Sequence, residues 1–184
     1  VGSMKLVLPL RQHVGAPCTP VVQVGDEVKR GQLIAKPAGL GANIHASANG
    51  KIVEINENEI AIEAVGEIYM DDYVRLTSED HLSLIEEAGI VGAGGAGFRA
   101  HVKFKAKVEC VYILANAAEC EPLLTHNMQL LEIEPELVVR GIKYMMEITG
   151  ATHGYIAIKP KHQKAMISVA KACKNVEGVE VKFL

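Results

Sequence analysis

Short apolar runs separated by turn residues make up the first part of the chain. Between Pro17 and Ala64 these runs are divided by Gly, Asn and Asp, as in Pro-Val-Val-Gln-Val at 20–24. Strands this short, at this turn spacing, are typical of a small β sandwich or barrel. We therefore predict a β-rich domain over residues 4–66, followed by a linker at 67–79.

Longer elements follow. A short helix is predicted at 78–88, with Gly89 as its stop signal. Beyond it, apolar runs that suit buried strands alternate with segments of helical spacing. The predicted strands are 108–115, 154–159 and 179–184, and the predicted helices are 134–149 and 160–174. This alternation predicts a three-layer α/β domain with a parallel sheet.

The predicted fold class is therefore α+β with two domains, the second covering residues 80–184. Because the last predicted strand coincides with the last residues, we expect the natural protein to continue and this chain to hold only the first part of the α/β domain. Val1, Gly2 and Ser3 are set aside, since the natural chain is expected to begin at Met4.

Composition narrows the possible functions. Apolar residues make up 49% of the chain, which is enough for a buried core. The formal net charge is only -3 and the basic residues are scattered, which argues against a nucleic-acid partner. No apolar run is long enough to cross a bilayer and no signal peptide is recognisable, so we expect a cytoplasmic protein without a transmembrane segment.

The cysteines do not predict a metal centre. Cys18, Cys110, Cys120 and Cys173 are widely spaced and form no Cys-x-x-Cys pair. Zinc and iron–sulfur sites usually need such pairs, so reduced thiols and no metal ligands are expected. Three of the thiols have apolar or mixed neighbours and are expected to be buried and unreactive, whereas Cys120 lies between two acids.

One segment is rich in glycine. Residues 89–98 read Gly-Ile-Val-Gly-Ala-Gly-Gly-Ala-Gly-Phe and are called the glycine loop below. Without Cβ atoms, such a loop can aim several backbone N–H groups at one anionic ligand. It matches neither the dinucleotide fingerprint nor an NTPase loop, because it follows a helix rather than a strand and lacks the Gly-Lys-Ser/Thr ending. Glycine content alone leaves ligand binding and a tight structural crossing both open.

A polar bend follows the first predicted strand of the α/β domain. This acidic elbow, residues 115–122, reads Ala-Asn-Ala-Ala-Glu-Cys-Glu-Pro. Ligands of open α/β sheets bind beyond the carboxyl ends of strands, which makes Asn116, Glu119 and Glu121 candidates for a binding site. A solvated acidic turn ended by Pro122 is the alternative that the spacing leaves open.

The glycine loop and the acidic elbow together resemble the RnfC family of electron-transfer subunits and, more distantly, the flavin subunit of NADH:quinone oxidoreductase. The leader segment, residues 10–18, reads Leu-Arg-Gln-His-Val-Gly-Ala-Pro-Cys. It is also similar to RnfC-type proteins, especially the soluble relatives associated with proline reductase and the cobalamin reductase of diol utilisation. The phrases Val-Gly-Asp-x-Val-x-x-Gly-Gln-x-Ile and His-Ala-x-x-x-Gly-x-Ile resemble the two halves of a lipoyl- or biotinyl-type barrel-sandwich hybrid.

The resemblance implies an electron-transfer flavoprotein that moves electrons between NADH and iron–sulfur centres through FMN. It implies FMN and NAD(H) as cofactors, with 4Fe-4S clusters only in a C-terminal part that this chain lacks. It also implies a redox partner protein or a membrane-associated electron-transport complex, with this protein peripheral to the membrane on the cytoplasmic side. By the same resemblance the full-length protein is an oxidoreductase of the NADH dehydrogenase type, and this chain alone is expected to be inactive.

Carried over by motif position, the resemblance implies a set of cofactor-binding residues. They are Gly92, Gly94, Gly95, Gly97, Phe98, Lys103, Asn116, Glu119 and Glu121. The glycines would bring the backbone close to FMN, and Lys103 would reach the flavin or its phosphate as a point charge. Asn116 and Glu119 match flavin-contacting residues, while Phe98 and Glu121 would lie near the nicotinamide. We expect the glycine loop and the acidic elbow to share one cleft.

The sequence departs from the family pattern at two positions and leaves other functions open. Arg99 stands where the family usually has proline, and Ala118 replaces an acid of the respiratory enzyme. The first alternative is a non-catalytic scaffold or docking module of a redox complex. A carrier domain is a weaker alternative, because the acceptor tripeptide of a modified lysine is absent. His13 and His45 are expected to be structural rather than ligands.

Overall fold

The structure is a computed structural model, and it describes residues 3–66, 72–93, 96–105, 109, 111–120 and 123–184. The chain divides into two compact units, Val1–Lys105 and Ala106–Leu184, and each is described by itself below. Residues 67–71 of the predicted linker and part of the predicted strand 108–115 lie outside the described residues.

Short antiparallel strands form two sheets in the described part of the first unit. They are β1 (Met4–Pro9), β2 (Cys18–Pro20), β3 (Glu27–Val28), β4 (Leu33–Pro37), β5 (Ile44–His45), β6 (Gly50–Ile55) and β7 (Glu59–Ala64). One sheet has the order β1-β7-β6-β3 and the other the order β2-β4-β5. This arrangement confirms the predicted β-rich barrel-sandwich fold.

Both sheets contribute to a single hydrophobic core. Its buried members are Leu8, Leu10, Cys18, Val28, Ile34, Ala35, Ile44, Ala46, Ile52, Ile60 and Ile62. Ile62 lies between Leu6 of β1 and Ile52 of β6 in the strand register, and Leu8 pairs with Ile60. Because side chains alternate across a strand, these pairs place one face of the sheet in the core. β1 was not among the predicted strands, and it pairs with β7 along its whole length.

The predicted helix at 78–88 is present with narrower bounds as α1 (His81–Glu87), which belongs to the first unit. Asp80 precedes it, and the side chain of Asp80 accepts a hydrogen bond from the backbone N–H of Ser83 at 3.0 Å. Such a cap satisfies one of the N–H groups that a helix start leaves without an intrahelical partner.

Gly89 ends α1, as predicted. Its φ of +70° lies in the left-handed region, and a Cβ at this position would overlap the carbonyl oxygen of Asn43. Only glycine combines that φ with so close an approach. A second short helix, α2 (Ala100–Phe104), follows the glycine loop and was not predicted.

The second unit contains a parallel sheet of three strands and three helices among its described residues. In chain order these elements are β8 (Tyr112–Ala117), α3 (His126–Ile133), α4 (Pro135–Thr149), β9 (His153–Ile158), α5 (Gln163–Cys173) and β10 (Val179–Phe183). The strand order is β10-β9-β8, with both pairs parallel. The predicted alternation of strands and helices is therefore confirmed, whereas α3 was missed.

All three helices pack on the same face of this sheet. Their buried side chains share a core with Ile156 and Ile158 of β9 and Val179 of β10. Right-handed crossovers in a sheet that grows in one direction place successive helices on one face. The described residues thus supply two of the expected layers. β8 was expected to be fully buried, but its residues alternate, and Tyr112 and Leu114 are exposed.

Candidate ligand site at the glycine loop

The glycine loop closes on itself as a hairpin. Val91 and Arg99 form an antiparallel bridge, and the N–H of Gly92 donates to the carbonyl of Phe98 at 2.9 Å. The N–H of Ala100 donates to the carbonyl of Ile90 at 3.0 Å. These bonds hold the two ends of the loop together. Gly94 and Gly95, both predicted to bind the cofactor, lie outside the described residues.

Gly97 joins the glycine loop to the leader segment. Its φ is +63°, and a Cβ here would lie 3.3 Å from the carbonyl oxygen of Gln12 and 3.3 Å from the Cα of His13. The left-handed backbone and the close approach both favour glycine. The barrel-sandwich leader and the glycine loop, far apart in sequence, are therefore neighbours within the first unit.

These two segments enclose an open pocket of about 520 Å³. Its walls are residues 11–13 of the leader, residues 91–93, and residues 96–97. The volume falls in the range of about 300–1,000 Å³ that is usual for small-molecule sites. Among the described residues, the N–H groups of Ala93 and Ala96 have no hydrogen-bond acceptor. Together with the Arg11 guanidinium, this lining suits an anionic group such as a phosphate.

His13 fastens the leader to the barrel. Its ring is buried, with Nδ1 3.2 Å from the carbonyl oxygen of Val14 and Nε2 3.3 Å from Sγ of Cys18. The Cys18 thiol donates to the carbonyl of Ala42 at 3.1 Å, and burial raises its pKa, so it stays a protonated thiol. The burial expected for Cys18 is confirmed, and the contacts of His13 agree with the structural role expected for it.

The structure also describes two further thiols, those of Cys120 and Cys173, and the second predicted structural histidine, His45. Cys173 is buried and its pKa is raised by burial, while Cys120 is exposed. His45 is half-buried in β5, and burial lowers its pKa despite the opposing effect of Glu87. Cys110 lies outside the described residues. Within the described ranges, no group of three or more His, Cys, Asp or Glu residues could hold a metal ion.

Phe98 and Lys103 are in contact at the end of the loop. The ammonium of Lys103, on α2, lies 5.8 Å from the centroid of the Phe98 ring, within reach of a cation–π interaction. α2 is held to α1 by His101, whose Nε2 is 3.4 Å from a carboxylate oxygen of Glu86. Burial lowers the pKa of His101, although Glu86 acts in the opposite direction.

The acidic elbow lies in the second unit, at the carboxyl end of β8. The side-chain oxygen of Asn116 accepts a hydrogen bond from the N–H of Ala118 at 3.0 Å, which forms the bend. The Glu119 carboxylate accepts from Asn127 at 3.0 Å, and its backbone carbonyl accepts from Lys159 at 3.1 Å. Glu121 lies outside the described residues. Asn116 and Glu119 therefore lie on the same short bend, each with its own hydrogen bonds.

Arg11 and Gln12 line the pocket but were not predicted as site residues. They belong to the leader segment, whose resemblance to RnfC-type proteins was the available signal, but nothing local connects them to a loop some 80 residues further on. Arg99, which stands where the family usually has proline, is buried in part. Its Nε is buried and has no hydrogen-bond partner among the described residues.

Two family models match the chain, one for each part of the fold. Residues 85–184 match the Nuo51 FMN-binding domain, and residues 3–69 match the RnfC barrel sandwich hybrid domain. The first match covers more than half of the chain, and it therefore establishes the protein as one with an FMN-binding domain. The protein belongs to the Nuo51 FMN-binding domain family, joined here to an RnfC-type barrel-sandwich domain, and the predicted resemblance to RnfC proteins is confirmed.

Curated relatives agree with this assignment. The chain is 40% identical to a subunit of the proton-translocating ferredoxin:NAD(+) oxidoreductase complex of Clostridium ljungdahlii, over 98% of this chain and 43% of that protein. It is 34% identical to a subunit of the Na(+)-translocating ferredoxin:NAD(+) oxidoreductase complex of Acetobacterium woodii, over 97% and 45% of the two chains. Over 45% of this chain and 18% of the relative, it is 51% identical to cobalamin reductase PduS of Citrobacter freundii.

The chain therefore spans less than half the length of these relatives. Across the described ranges, no helix combines the length and the apolar character that crossing a membrane requires.

Proposed function

We propose that this chain is the FMN- and NADH-binding part of an RnfC-like electron-transfer protein, which moves electrons between NADH and iron–sulfur centres. The observation that carries the proposal is the pocket of about 520 Å³ between the leader segment and the glycine loop. It combines a cation with backbone N–H groups that have no acceptor among the described residues, which suits a nucleotide phosphate. The Nuo51 FMN-binding family match supports FMN as the nucleotide.

The residues proposed to hold the cofactors keep the roles implied by the family motif. Gly92 and Gly97 present bare backbone, and Gly94 and Gly95 are proposed to extend it. Lys103 adds a positive charge close to Phe98. FMN, when bound, accepts a hydride and passes on single electrons, so the protein contributes alignment and electrostatics.

The acidic elbow is proposed to contribute polar contacts to the same cofactors. Asn116 and Glu119 would contact the flavin, and Glu121 would lie near the nicotinamide. The hydrogen bonds from Asn127 and Lys159 hold the Glu119 segment in one conformation, which is what a cofactor contact needs. Residues 4–66, 67–79 and 80–184 are proposed as the barrel, linker and flavin domains.

The whole protein is proposed to be an oxidoreductase of the NADH dehydrogenase type. Its 4Fe-4S clusters would lie in sequence beyond this chain, so this chain alone is proposed to be inactive. A redox partner protein or a membrane-associated electron-transport complex would receive the electrons. The relatives that are named as subunits of ion-translocating complexes support a location at the membrane. The cytoplasmic side is proposed from the resemblance to RnfC proteins.

Flavin titration tests this proposal. The full-length protein is freed of flavin, titrated with FMN while the flavin absorbance is followed, and then assayed for NADH-dependent reduction of an artificial dye. We expect saturable FMN binding and dye reduction that depends on FMN. A full-length protein that gives no spectral change with FMN and no dye reduction would overturn the proposal.

A non-catalytic scaffold is the second candidate, and one observation favours it. The N–H of Gly92 donates a hydrogen bond to the carbonyl of Phe98, and Gly97 packs against Gln12 and His13. Part of the glycine loop therefore already makes structural contacts. The same flavin titration separates the two functions, because a scaffold would bind a partner protein without binding FMN.

A further inference from the structure

The leader segment contributes a cation to the pocket at the glycine loop that no family motif assigns. Arg11 lines this pocket together with Gly92, Ala93, Ala96 and Gly97. The side chain belongs to the barrel-sandwich part of the chain, whereas the glycine loop belongs to the segment that matches the FMN-binding family. Both lie in the first compact unit.

The Arg11 side chain is positioned by one hydrogen bond, and most of its N–H groups have no acceptor among the described residues. Its Nη2 donates to the carbonyl of Gly15 at 3.2 Å, which folds the leader back on itself. Gln12 next to it donates to the carbonyl of Pro9 at 3.0 Å. A guanidinium has five N–H donors, and among the described residues Arg11 forms no ion pair.

The rest of the pocket wall also lacks acceptors that would compete for this cation. No aspartate or glutamate is among the described lining residues. Both ring nitrogens of His13 already have partners, Nδ1 the carbonyl of Val14 and Nε2 the Cys18 sulfur. His13 therefore offers the pocket neither a free donor nor a free acceptor. The described wall therefore combines one arginine with backbone N–H groups, and a phosphate satisfies both kinds of donor at once.

We propose that Arg11 binds a phosphate group of the nucleotide held at the glycine loop. The inference rests on the proposed function, and it makes the barrel-sandwich domain a direct part of the nucleotide site. The phosphate comes either from FMN or from NADH, and these two sources share the chemistry that the pocket recognises.

The test compares FMN with riboflavin, which is the same flavin without the phosphate. Dissociation constants for both are measured by fluorescence titration of the flavin-free, full-length protein and of its Arg11→Gln and Arg11→Lys variants. Losing a charge-assisted hydrogen bond to phosphate should weaken FMN binding by about tenfold or more in Arg11→Gln. Riboflavin binding should not change, and Arg11→Lys should lie between the wild type and Arg11→Gln.

Arg75→Gln is the matched control. Arg75 is exposed, lies over the ring of Tyr73 at 5.2 Å and does not line the pocket, so the same loss of charge there should leave FMN binding unchanged. Melting temperatures of all variants show whether the leader still folds, and Arg11→Lys keeps the test valid if Arg11→Gln is unstable.

The outcomes separate the two phosphates and the two proposals. Unchanged FMN binding with a raised KM for NADH in Arg11→Gln would support Arg11 with NADH as the source of the phosphate. Equal loss of FMN and riboflavin, or no change for FMN and NADH alike, would overturn the role of Arg11 while leaving the proposed function standing. A wild-type protein that binds no flavin would overturn the proposed function itself and Arg11 with it.

Discussion

The carboxylate of Glu87 on α1 accepts two hydrogen bonds from Ser78, one from its hydroxyl at 2.6 Å and one from its backbone N–H at 2.8 Å. It accepts two more from the N–H and hydroxyl of Thr77, at 2.8 and 3.0 Å. The Glu87 side chain, at the end of α1, thereby fixes Thr77 and Ser78, which precede this helix in the chain. The Glu87 backbone carbonyl also accepts from Asn43 of the barrel at 3.2 Å.

This arrangement predicts acid sensitivity. The Ser78 hydroxyl, followed by the N–H groups of Thr77 and Ser78, lowers the pKa of Glu87 from 4.5 to about 2. A carboxyl group whose folded pKa is depressed stabilises the fold above its unfolded pKa and loses that contribution as the pH falls through the folded value. Melting temperatures should therefore drop between pH 4.5 and pH 2, and drop less in Glu87→Gln.

The control for this experiment is Glu57→Gln, an exposed carboxylate in the turn between β6 and β7. It should melt in parallel with the wild type across the pH range. At pH 7 Glu87→Gln should melt below the wild type, and the gap should narrow towards low pH. A gap that stays constant from pH 7 to pH 3 would show that the Glu87 charge does not stabilise this fold.

Gly97→Ala should disturb the glycine loop. The left-handed φ of +63° costs a residue with a side chain about 1–2 kcal/mol, and the new Cβ would press on Gln12 and His13. We expect a lower melting temperature and weaker FMN binding by titration. Gly39→Ala, with nothing within 4 Å of its Cβ, is the control and should bind FMN like the wild type. Normal FMN affinity in Gly97→Ala would remove this glycine from the site.

Lys103→Ala should weaken flavin retention. Removing the ammonium over Phe98 deletes a positive charge at the end of the loop. At an exposed site this charge is worth about 1 kcal/mol, or roughly fivefold in the dissociation constant. Lys105→Ala is the control, since that ammonium faces Glu86 at 3.6 Å. Retained flavin and unaltered dye reduction in Lys103→Ala would place this residue outside the site.

Gly154→Ala should destabilise the second unit. Gly154 lies on β9 beneath α4, and a Cβ there would overlap a methyl group of Ile142 and lie 3.0 Å from the Met146 sulfur. Overpacking of this kind lowers the free energy of unfolding by about 1–3 kcal/mol. Gly141→Ala on α4 meets nothing within 4 Å and should instead raise it by about 0.5–1 kcal/mol. Urea titration of both variants measures the free energy of unfolding, which should fall in Gly154→Ala and rise in Gly141→Ala. Equal changes in the two variants would show that the contact with Ile142 does not limit the space at Gly154.

Helix α4 shows what could be predicted from local sequence. Pro135 stands in its first turn, and Gly150 ends it with a φ of +75°. Buried Val139, Ile142 and Met146 recur at helical spacing between these two signals. Start, stop and periodicity all agree, so the predicted bounds differ from the observed ones by one residue at the start.

Helix α3 and strand β8 show why other elements were missed or misjudged. α3 has no side-chain cap, and its buried Met128 and Leu131 share the core with α5 rather than forming a strong local pattern. For β8, a continuous apolar run predicted burial on both faces, yet all described helices of this unit cover the same side of the sheet. Which face is covered depends on the path of the chain and not on the strand itself.

By itself, the sequence was sufficient to identify the two kinds of fold, the glycine loop, the acidic elbow and the family, because turn residues, periodicity and long motifs are local properties. Only the tertiary structure brought Gln12 and His13 against Gly97 and created the pocket that Arg11 also lines. Contacts between residues so far apart in sequence arise from the burial of distant surfaces against one another, and neither end of such a contact carries a local signal of its partner.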